Sequence, residues 1–411
     1  MTSDADYNPF APATLDDPFP AYAAARAECP MHRFDGFEHP LYTATRYDDV
    51  VELLTDIDTW SSHYGQMPTY SVRGCLFSDP PTHTWYRKLI QQSFAPRHVA
   101  AMEADISALV DELVETMVTE GSARDNTADL HDALACPLPV LVIARILGVP
   151  TDDIEQFKAW SDEQLAASNS SDRSAGDGAR QALNAYLLDQ LDVRRALLLD
   201  SGADPDTAGP EVLGDVIPDD VTSGILLAEV DGRRLDDSER LIMLNQLLVG
   251  GNETTTSLIT NLFWRLLDQP ELYRQIRDDP SLDAIAVEES LRLDAPVLGL
   301  YRTNTADLER HGVSLPERSK VMATFGAANR DPEIFDDADS FRLDRDPDVL
   351  RKHVAFGLGR HFCPGAHLSR LEARLALRAV VDRLPHLTTN GESTRIEAFL
   401  LWGRRTLPVR W

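Results

Sequence analysis

The chain has 411 residues, 43% of them hydrophobic, and a formal net charge of −28. So acidic a surface repels nucleic acid and anionic membranes and favours solubility, and with no run of about 18 apolar residues no membrane span is expected. Its four cysteines (Cys29, Cys75, Cys136 and Cys363) are scattered without Cys-x-x-Cys spacing, which argues against a disulfide framework or a zinc site and fits a reducing cytoplasm.

From Met1 to Pro30 there is neither a basic start nor an apolar run, so no signal peptide is expected. Leu41–Thr45 reads as a short strand. Asp79-Pro-Pro-Thr-His-Thr-Trp-Tyr-Arg87 opens a helix after two prolines. His83 and Arg87, four apart, share its face, and two donors on one face suit a carboxylate or a phosphate. Ser168–Gly178 and Asp200–Gly209 are polar and read as surface loops inside a longer helical region. No Pro/Gly/Ser linker divides the chain, so residues 1–411 are expected to form one large, mostly helical domain.

The stretch from Arg240 to Leu267 predicts a long apolar helix through Leu241, Leu244, Leu248, Leu258 and Phe263. Gly250 and Gly251 lie in its middle and cost roughly 1 kcal/mol each relative to alanine. Thr254, Thr255 and Thr256 follow, so a local kink or widened turn is expected there. Glu289-Ser-Leu-Arg292 sets opposite charges three apart on one helix face, where they can pair. Val313–Leu315 and Lys320–Thr324 read as short strands.

Charge is uneven along the chain. Aspartate supplies 45 of the 67 acidic residues and lysine only four of the 39 basic ones, a bias that fits a salt-rich cytoplasm or a GC-rich genome equally. Between Arg345 and Arg378 seven Lys/Arg (Arg345, Arg351, Lys352, Arg360, Arg370, Arg374, Arg378) face three acids, a local balance of +4. That segment reads as a basic docking face.

Inside it lies Phe356-Gly-Leu-Gly-Arg-His-Phe-Cys-Pro-Gly365. From Pro364 onward the pattern turns helical, with Leu368, Leu371, Leu375 and Ala379 on one face and proline suited to the first helical position. Cys363 is therefore expected at a helix N-terminus, where free N–H groups and the dipole lower a thiol pKa. Such a sulfur can be a nucleophile, a redox thiol, a soft metal ligand or a buried structural cysteine.

The loop resembles the haem-ligand loop of the cytochrome P450 superfamily, Phe-x-x-Gly-x-His/Arg-x-Cys-x-Gly, at every defined position. Gly250-Gly-Asn-Glu-Thr-Thr255 resembles that family's oxygen-binding helix, and Asp79-Pro-Pro-x-His-x-x-x-Arg87 its haem-propionate helix. Glu289-x-x-Arg292 resembles its Glu-x-x-Arg helix, and Ala328-Asn-Arg-Asp-Pro332 is a further marker. The resemblance covers nearly the whole chain.

The resemblance implies a mainly α fold with a small β region, and haem b buried between the Gly250 helix and the Cys363 loop. It implies Cys363 as the iron ligand and His83, Arg87, Arg302, Phe356, His361 and Gly365 as cofactor contacts. Gly250 and Gly251 would open a groove over the iron, with Glu253 and Thr254 as an acid–alcohol pair for proton delivery. Glu289, Arg292 and Arg345 would be structural. The substrate segments map to Ser62–Tyr70, Gln246–Gly250, Pro296–Leu300 and Phe399–Trp402, with Val297, Leu298, Gly299, Leu300, Phe399 and Leu400 as the lining and Gly299 leaving room over the haem. The implied activity is a soluble, cytoplasmic, monomeric monooxygenase inserting one atom of O2 into a terpenoid, steroid or fatty acyl molecule. Its electrons would come from NAD(P)H through a reductase and a small acidic ferredoxin. A peroxide-driven peroxygenase and a haem-based sensor or binder are the alternatives.

Overall fold

The computed structural model describes residues 7–411 apart from 73, 151–155, 157–158, 161–162 and 164–175. Most of the expected Ser168–Gly178 loop, 168–175, lies outside the described residues. Helices dominate. The longest, Asp237–Asp268, has 32 residues. It begins on a reciprocal cap, in which Glu239 N donates to Asp236 Oδ1 at 2.9 Å and Asp236 N donates to Glu239 Oε2 at 3.0 Å. Two backbone donors that would otherwise be orphaned are thereby satisfied.

This central helix runs without interruption through Gly250 and Gly251, where a kink or widened turn was expected. Ser257 to Phe263 are buried around its whole circumference, and the helices Pro137–Leu147, Asp283–Leu293 and Ala366–Arg383 pack against it. Tertiary burial of this kind outweighs the local preference of two glycines. The helix after the cysteine starts at Ala366 rather than Pro364, with Gly365 as its cap. Leu368 and Leu371 are buried as expected, but Leu375 and Ala379 are only half-buried. The inward stripe continues instead through Ala376, Leu377, Val380 and Val381.

The small β region is led by a five-stranded sheet in the order Met31–Phe34, Leu41–Ala44, Lys320–Ala323, Leu300–Asn304, Trp60–Ser61. Lys320–Ala323 runs parallel to Leu41–Ala44 and antiparallel to Leu300–Asn304, with Val321 opposite Arg302. Leu41–Ala44 is buried along its whole length. This sheet carries Arg302 and the chain just before it toward the helical core.

Glu289 joins its helix to the long connection that follows the sheet. Its carboxylate accepts from Arg292 Nε at 2.7 Å, Arg292 Nη2 at 2.8 Å, Arg345 Nε at 2.8 Å and the Arg342 backbone N at 3.0 Å. Arg292 also donates to Asn329 O, Ala338 O and Ser340 O, and Arg345 to Asp336 O, Asp336 Oδ1, Asp337 O and Ser340 O. Both guanidiniums therefore use every N–H they have. Glu289 and Arg292 are fully buried and Arg345 nearly so. Removing one member of such a set leaves a buried charge without its partner. Glu289→Gln is expected to destabilise the fold by about 3–5 kcal/mol, read as a lower midpoint in urea denaturation; a change within experimental error would contradict this account.

Candidate active site

A cavity of ≈310 Å3 lies between the central helix, the Cys363 loop and the edge of the sheet. The Cys loop is shaped by its backbone. Cys363 N donates to Phe356 O at 2.9 Å, and Gly357 N donates to Val354 O at 2.8 Å. Gly359 has φ +66, and a Cβ there would sit 2.7 Å from Leu54 O, so both conformation and space require glycine. Phe356 is held under the Arg370 guanidinium, 4.5 Å from the ring centroid.

Cys363 lines the cavity and is half-buried. The expected lowering of its pKa does not occur. Burial pushes the thiol up, and the N–H groups of Gly365 and Ala366 and the charges of Arg87 and Arg370 reverse only part of that. A metal cation bound to the sulfur would remove the proton outright. Among the described residues no three His, Cys, Asp or Glu side chains gather as a metal site. A metal at Cys363 must therefore bring its other ligands with it.

His83, Arg87, Arg302 and His361 all reach the cavity. The rings of His83 and His361 are 4.2 Å apart. His83 Nδ1 and His361 Nε2 are buried with no hydrogen-bond partner. Burial first, and then the Arg87 charge among others, holds His83 at about 4. Burial and the Arg302 charge hold His361 at about 3. Both imidazoles are thus neutral near pH 7. Arg302 is buried, with one described hydrogen bond, from Nη1 to Tyr301 O at 3.1 Å. Burial lowers its pKa to about 10, and the opposing charge of Asp79 does not compensate. Asp79 is engaged elsewhere, accepting from Ser61 Oγ at 2.5 Å and Ser62 N at 2.8 Å.

Two guanidiniums and two orphaned imidazole nitrogens thus converge without a carboxylate to neutralise them. The acid among the lining residues, Glu372, is buried, and burial drives its pKa well upward, which disfavours its charged form. This donor set fits a buried group carrying two carboxylates, as haem does, with the sulfur of Cys363 available to its iron.

Across from the cysteine, Gly250, Gly251 and Thr254 form the wall contributed by the central helix. A side chain at Gly250 would meet nothing within 4 Å, so this turn leaves a groove. Thr254 Oγ1 donates to Gly250 O at 2.9 Å. Glu253 is half-buried and not part of the wall.

Of the expected pocket residues, Val297 and Leu300 line the cavity, while Leu298, Gly299, Phe399 and Leu400 do not. Leu298 N donates to Leu400 O at 2.8 Å and Trp402 N to Pro296 O at 2.9 Å. This short pairing turns Leu298 and Leu400 into a separate cluster with Leu41, Tyr301, Met322 and Trp402. Phe399 stacks near Phe10, with centroids 4.7 Å apart. Gly299 leaves no room, because a Cβ there would lie 2.6 Å from both Ala323 O and Met322 Cε. Sequence reasoning also missed Phe77, Phe94, Ile143 and Phe325 on the wall. It missed Glu288 too, which accepts from Arg370 Nε at 2.5 Å and pairs with His353 Nε2 at 2.9 Å. Burial alone would raise the Glu288 pKa, but these partners hold it at about 2.

Comparison with known proteins agrees with this geometry. The family model for cytochrome P450 matches residues 177–401. The chain is 35% identical to a putative cytochrome P450, YjiB, of Bacillus subtilis, over 96% of this chain and 93% of that one. It is 34% identical to vitamin D(3) 25-hydroxylase of Pseudonocardia autotrophica, again over 96% and 93%. The crystal structure of CYP109E1 from Bacillus megaterium in complex with testosterone superposes with a TM-score of 0.83 at 30% identity, covering 97% of this chain and 98% of that one. The fold and the cavity define a haem-dependent oxidoreductase. The chain belongs to the cytochrome P450 family and is a cytochrome P450 monooxygenase.

Because Arg302 is buried with little to bond, its charge weakens the haem-free fold. Arg302→Met is expected to raise the melting temperature of the haem-free protein and to lower the haem-to-protein ratio of the loaded one. A fall in both would mean that Arg302 only supports the fold.

Proposed function

We propose that this chain inserts one atom of O2 into a hydrophobic small molecule, by C–H hydroxylation or epoxidation. Residues 1–411 act as one haem domain, with haem b between the Gly250 helix and the Cys363 loop. One observation carries the reading: a half-buried cysteine shares a cavity with four basic or orphaned donors, and the only acid among its lining residues is the buried Glu372. In this reading Cys363 is the thiolate ligand, and His83, Arg87, Arg302 and His361 hold the two propionates. Bound there, the haem supplies oxygen activation and the oxidation of an unactivated carbon.

The protein's own residues do the rest. Gly250 and Gly251 leave space beside the central helix. Thr254 holds a hydroxyl on the cavity wall, and Glu253, on the same turn but off the wall, brings a carboxylate that relays protons from outside. This pair weighs against peroxide-driven and sensor readings. Leu247, Leu258, Val297, Leu300, Phe94 and Phe325 give the wall its apolar character and exclude water, which suits a hydrophobic ligand. A terpenoid, a steroid or a fatty acyl chain fits. The vitamin D and testosterone named for two similar proteins favour a large polycyclic molecule among these.

No helix among the described residues is long and apolar enough to cross a membrane. Electrons from NAD(P)H reach the site through a reductase and a small acidic ferredoxin. Within the basic segment, Arg345, Arg370 and Arg378 pair with buried or half-buried acids, while Arg374 pairs with Glu103 and Arg351 with Asp348 at the surface. Arg351, Lys352 and Arg360 remain exposed and form the docking face.

Two measurements test this reading. Carbon monoxide added to the reduced, haem-loaded protein is expected to give the strongly red-shifted Soret band of thiolate ligation, and Cys363→Ser should abolish that band. A wild-type band at the position of histidine-ligated haem would refute the assignment of Cys363. Reversing Arg351 and Lys352 to glutamate should raise the ferredoxin concentration needed for half-maximal turnover about tenfold or more, since charge complementarity governs such encounters; an unchanged requirement would move the docking face elsewhere.

A further inference from the structure

On the central-helix wall of the cavity, one side chain has its whole polar head unpaired. Gln246 faces the cavity from the central helix, and its Oε1 and Nε2 are both buried without a hydrogen-bond partner. A carboxamide left in that state costs about 1–3 kcal/mol. On the helical walls the threonine hydroxyls are satisfied, while Glu372, on the helix that follows Cys363, also leaves Oε2 without a partner. Thr254 Oγ1 bonds Gly250 O, and Thr255 Oγ1 bonds Ser369 Oγ at 3.0 Å. The donors around His83 and Arg302 belong to the proposed propionate site. Gln246 is therefore the carboxamide left wholly unpaired on the central-helix side of the cavity.

Its place in the helix decides what it can do. Gln246, Gly250 and Thr254 are spaced four apart, so they lie on one face. Gln246 stands one turn, about 6 Å along the axis, before the Gly250 groove. Around it the wall is apolar, with Leu247, Ile143 and Val297. A second carboxamide, Gln66, reaches the same cavity from the loop that follows Trp60–Ser61. That loop is held firmly: Tyr301 N donates to Gln66 O at 3.0 Å, and Lys320 Nζ donates to Gly65 O at 2.7 Å.

Resting on the monooxygenase reading above, we propose that Gln246, assisted by Gln66, is the anchor that selects apolar substrates carrying a carbonyl or hydroxyl oxygen. The amide N–H₂ donates to that oxygen, and the amide C=O accepts from it when it is a hydroxyl. The bound molecule then points its oxygen-bearing end away from the Gly250 groove. The carbon that is oxidised is remote from that oxygen, by more than one helical turn. A pocket built to bond an oxygen rejects the analogue lacking it, because the carboxamide stays unpaired.

The test uses the haem-loaded protein and two rigid probes that differ only by a ketone oxygen in place of two hydrogens, 5α-androstan-3-one and its parent hydrocarbon 5α-androstane. Affinities are measured by calorimetry. The wild type is expected to bind the ketone about tenfold more tightly than the hydrocarbon. Gln246→Leu should remove that preference while leaving hydrocarbon affinity no weaker. Gln246→Met, which keeps side-chain length, serves if the leucine variant folds poorly. A preference retained in the variant, or one absent from the wild type, overturns the proposal. Turnover of the ketone should place the new hydroxyl on the rings far from C3, and hydroxylation of ring A overturns the orientation. The carbon monoxide spectrum separates the two levels of failure: a red-shifted band with no role for Gln246 defeats this inference alone, and its absence in the wild type defeats the reading beneath it.

Discussion

The carboxylate of Glu289 is the constraint on which the site depends. Removing three ions from water is expensive, and their attraction compensates only when every donor and lone pair is used. Here that condition is met. The consequence reaches the cysteine in a few bonds. Arg292 grips Asn329 O, and the side chain of Asn329 accepts from Val354 N at 2.7 Å. Val354 O in turn accepts from Gly357 N, and Phe356 O accepts from Cys363 N. The neighbouring Glu288 reaches the same loop from the other side through His353 and Arg370. Two adjacent glutamates on one helix thus place the Cys loop, one through the core and one through its flanks.

Buried arginine plays two opposite parts in this molecule, and bonding tells them apart. Arg292 and Arg302 are equally hidden from solvent. Arg292 uses all five donors on protein oxygens, whereas Arg302 uses one. The first is complete without any ligand. The second holds charge in a low-dielectric cavity beside Arg87 and two neutral histidines, a state that favours the arrival of anions. That contrast, rather than burial or charge alone, separates the residues of the fold from those proposed for the cofactor.

What was legible in the sequence was whatever is coded by local spacing. Glu289 and Arg292 at three apart, His83 and Arg87 at four apart, and the glycine pattern around Cys363 all met where helix geometry puts them. What was not legible depends on contacts distant in sequence. The thiol of Cys363 is raised rather than lowered because the whole fold buries it, a term that outweighs the helix N-terminus. The helix stays continuous through Gly250 because its flanking stretch, Ser257 to Phe263 above all, is buried against other helices. Leu298 and Leu400 were misplaced because their side chains follow the Val297–Leu401 bridge, and one residue of register decides which face of such a pair looks into a cavity. Gly299 was read as open space, but it is a point of close approach to another strand.

A division of labour follows from these particulars. The residues proposed for the chemistry stand on backbone features that only certain sequences permit: the loop with glycine at 359, the helix turn with glycine at 250, and the donor pair after two prolines. They leave a pattern in the sequence because the backbone itself is constrained. The residues that shape the space for a substrate, Phe94, Ile143 and Phe325 among them, come from ordinary helices and connections that would fold equally well with other side chains of similar size. They leave no pattern, and they are free to vary without disturbing the Glu289 network or the Cys loop. Reaction type is therefore written into the fold, while selectivity rests on a few side chains such as Gln246 whose cost to the fold is small and whose value appears only when the cavity is filled.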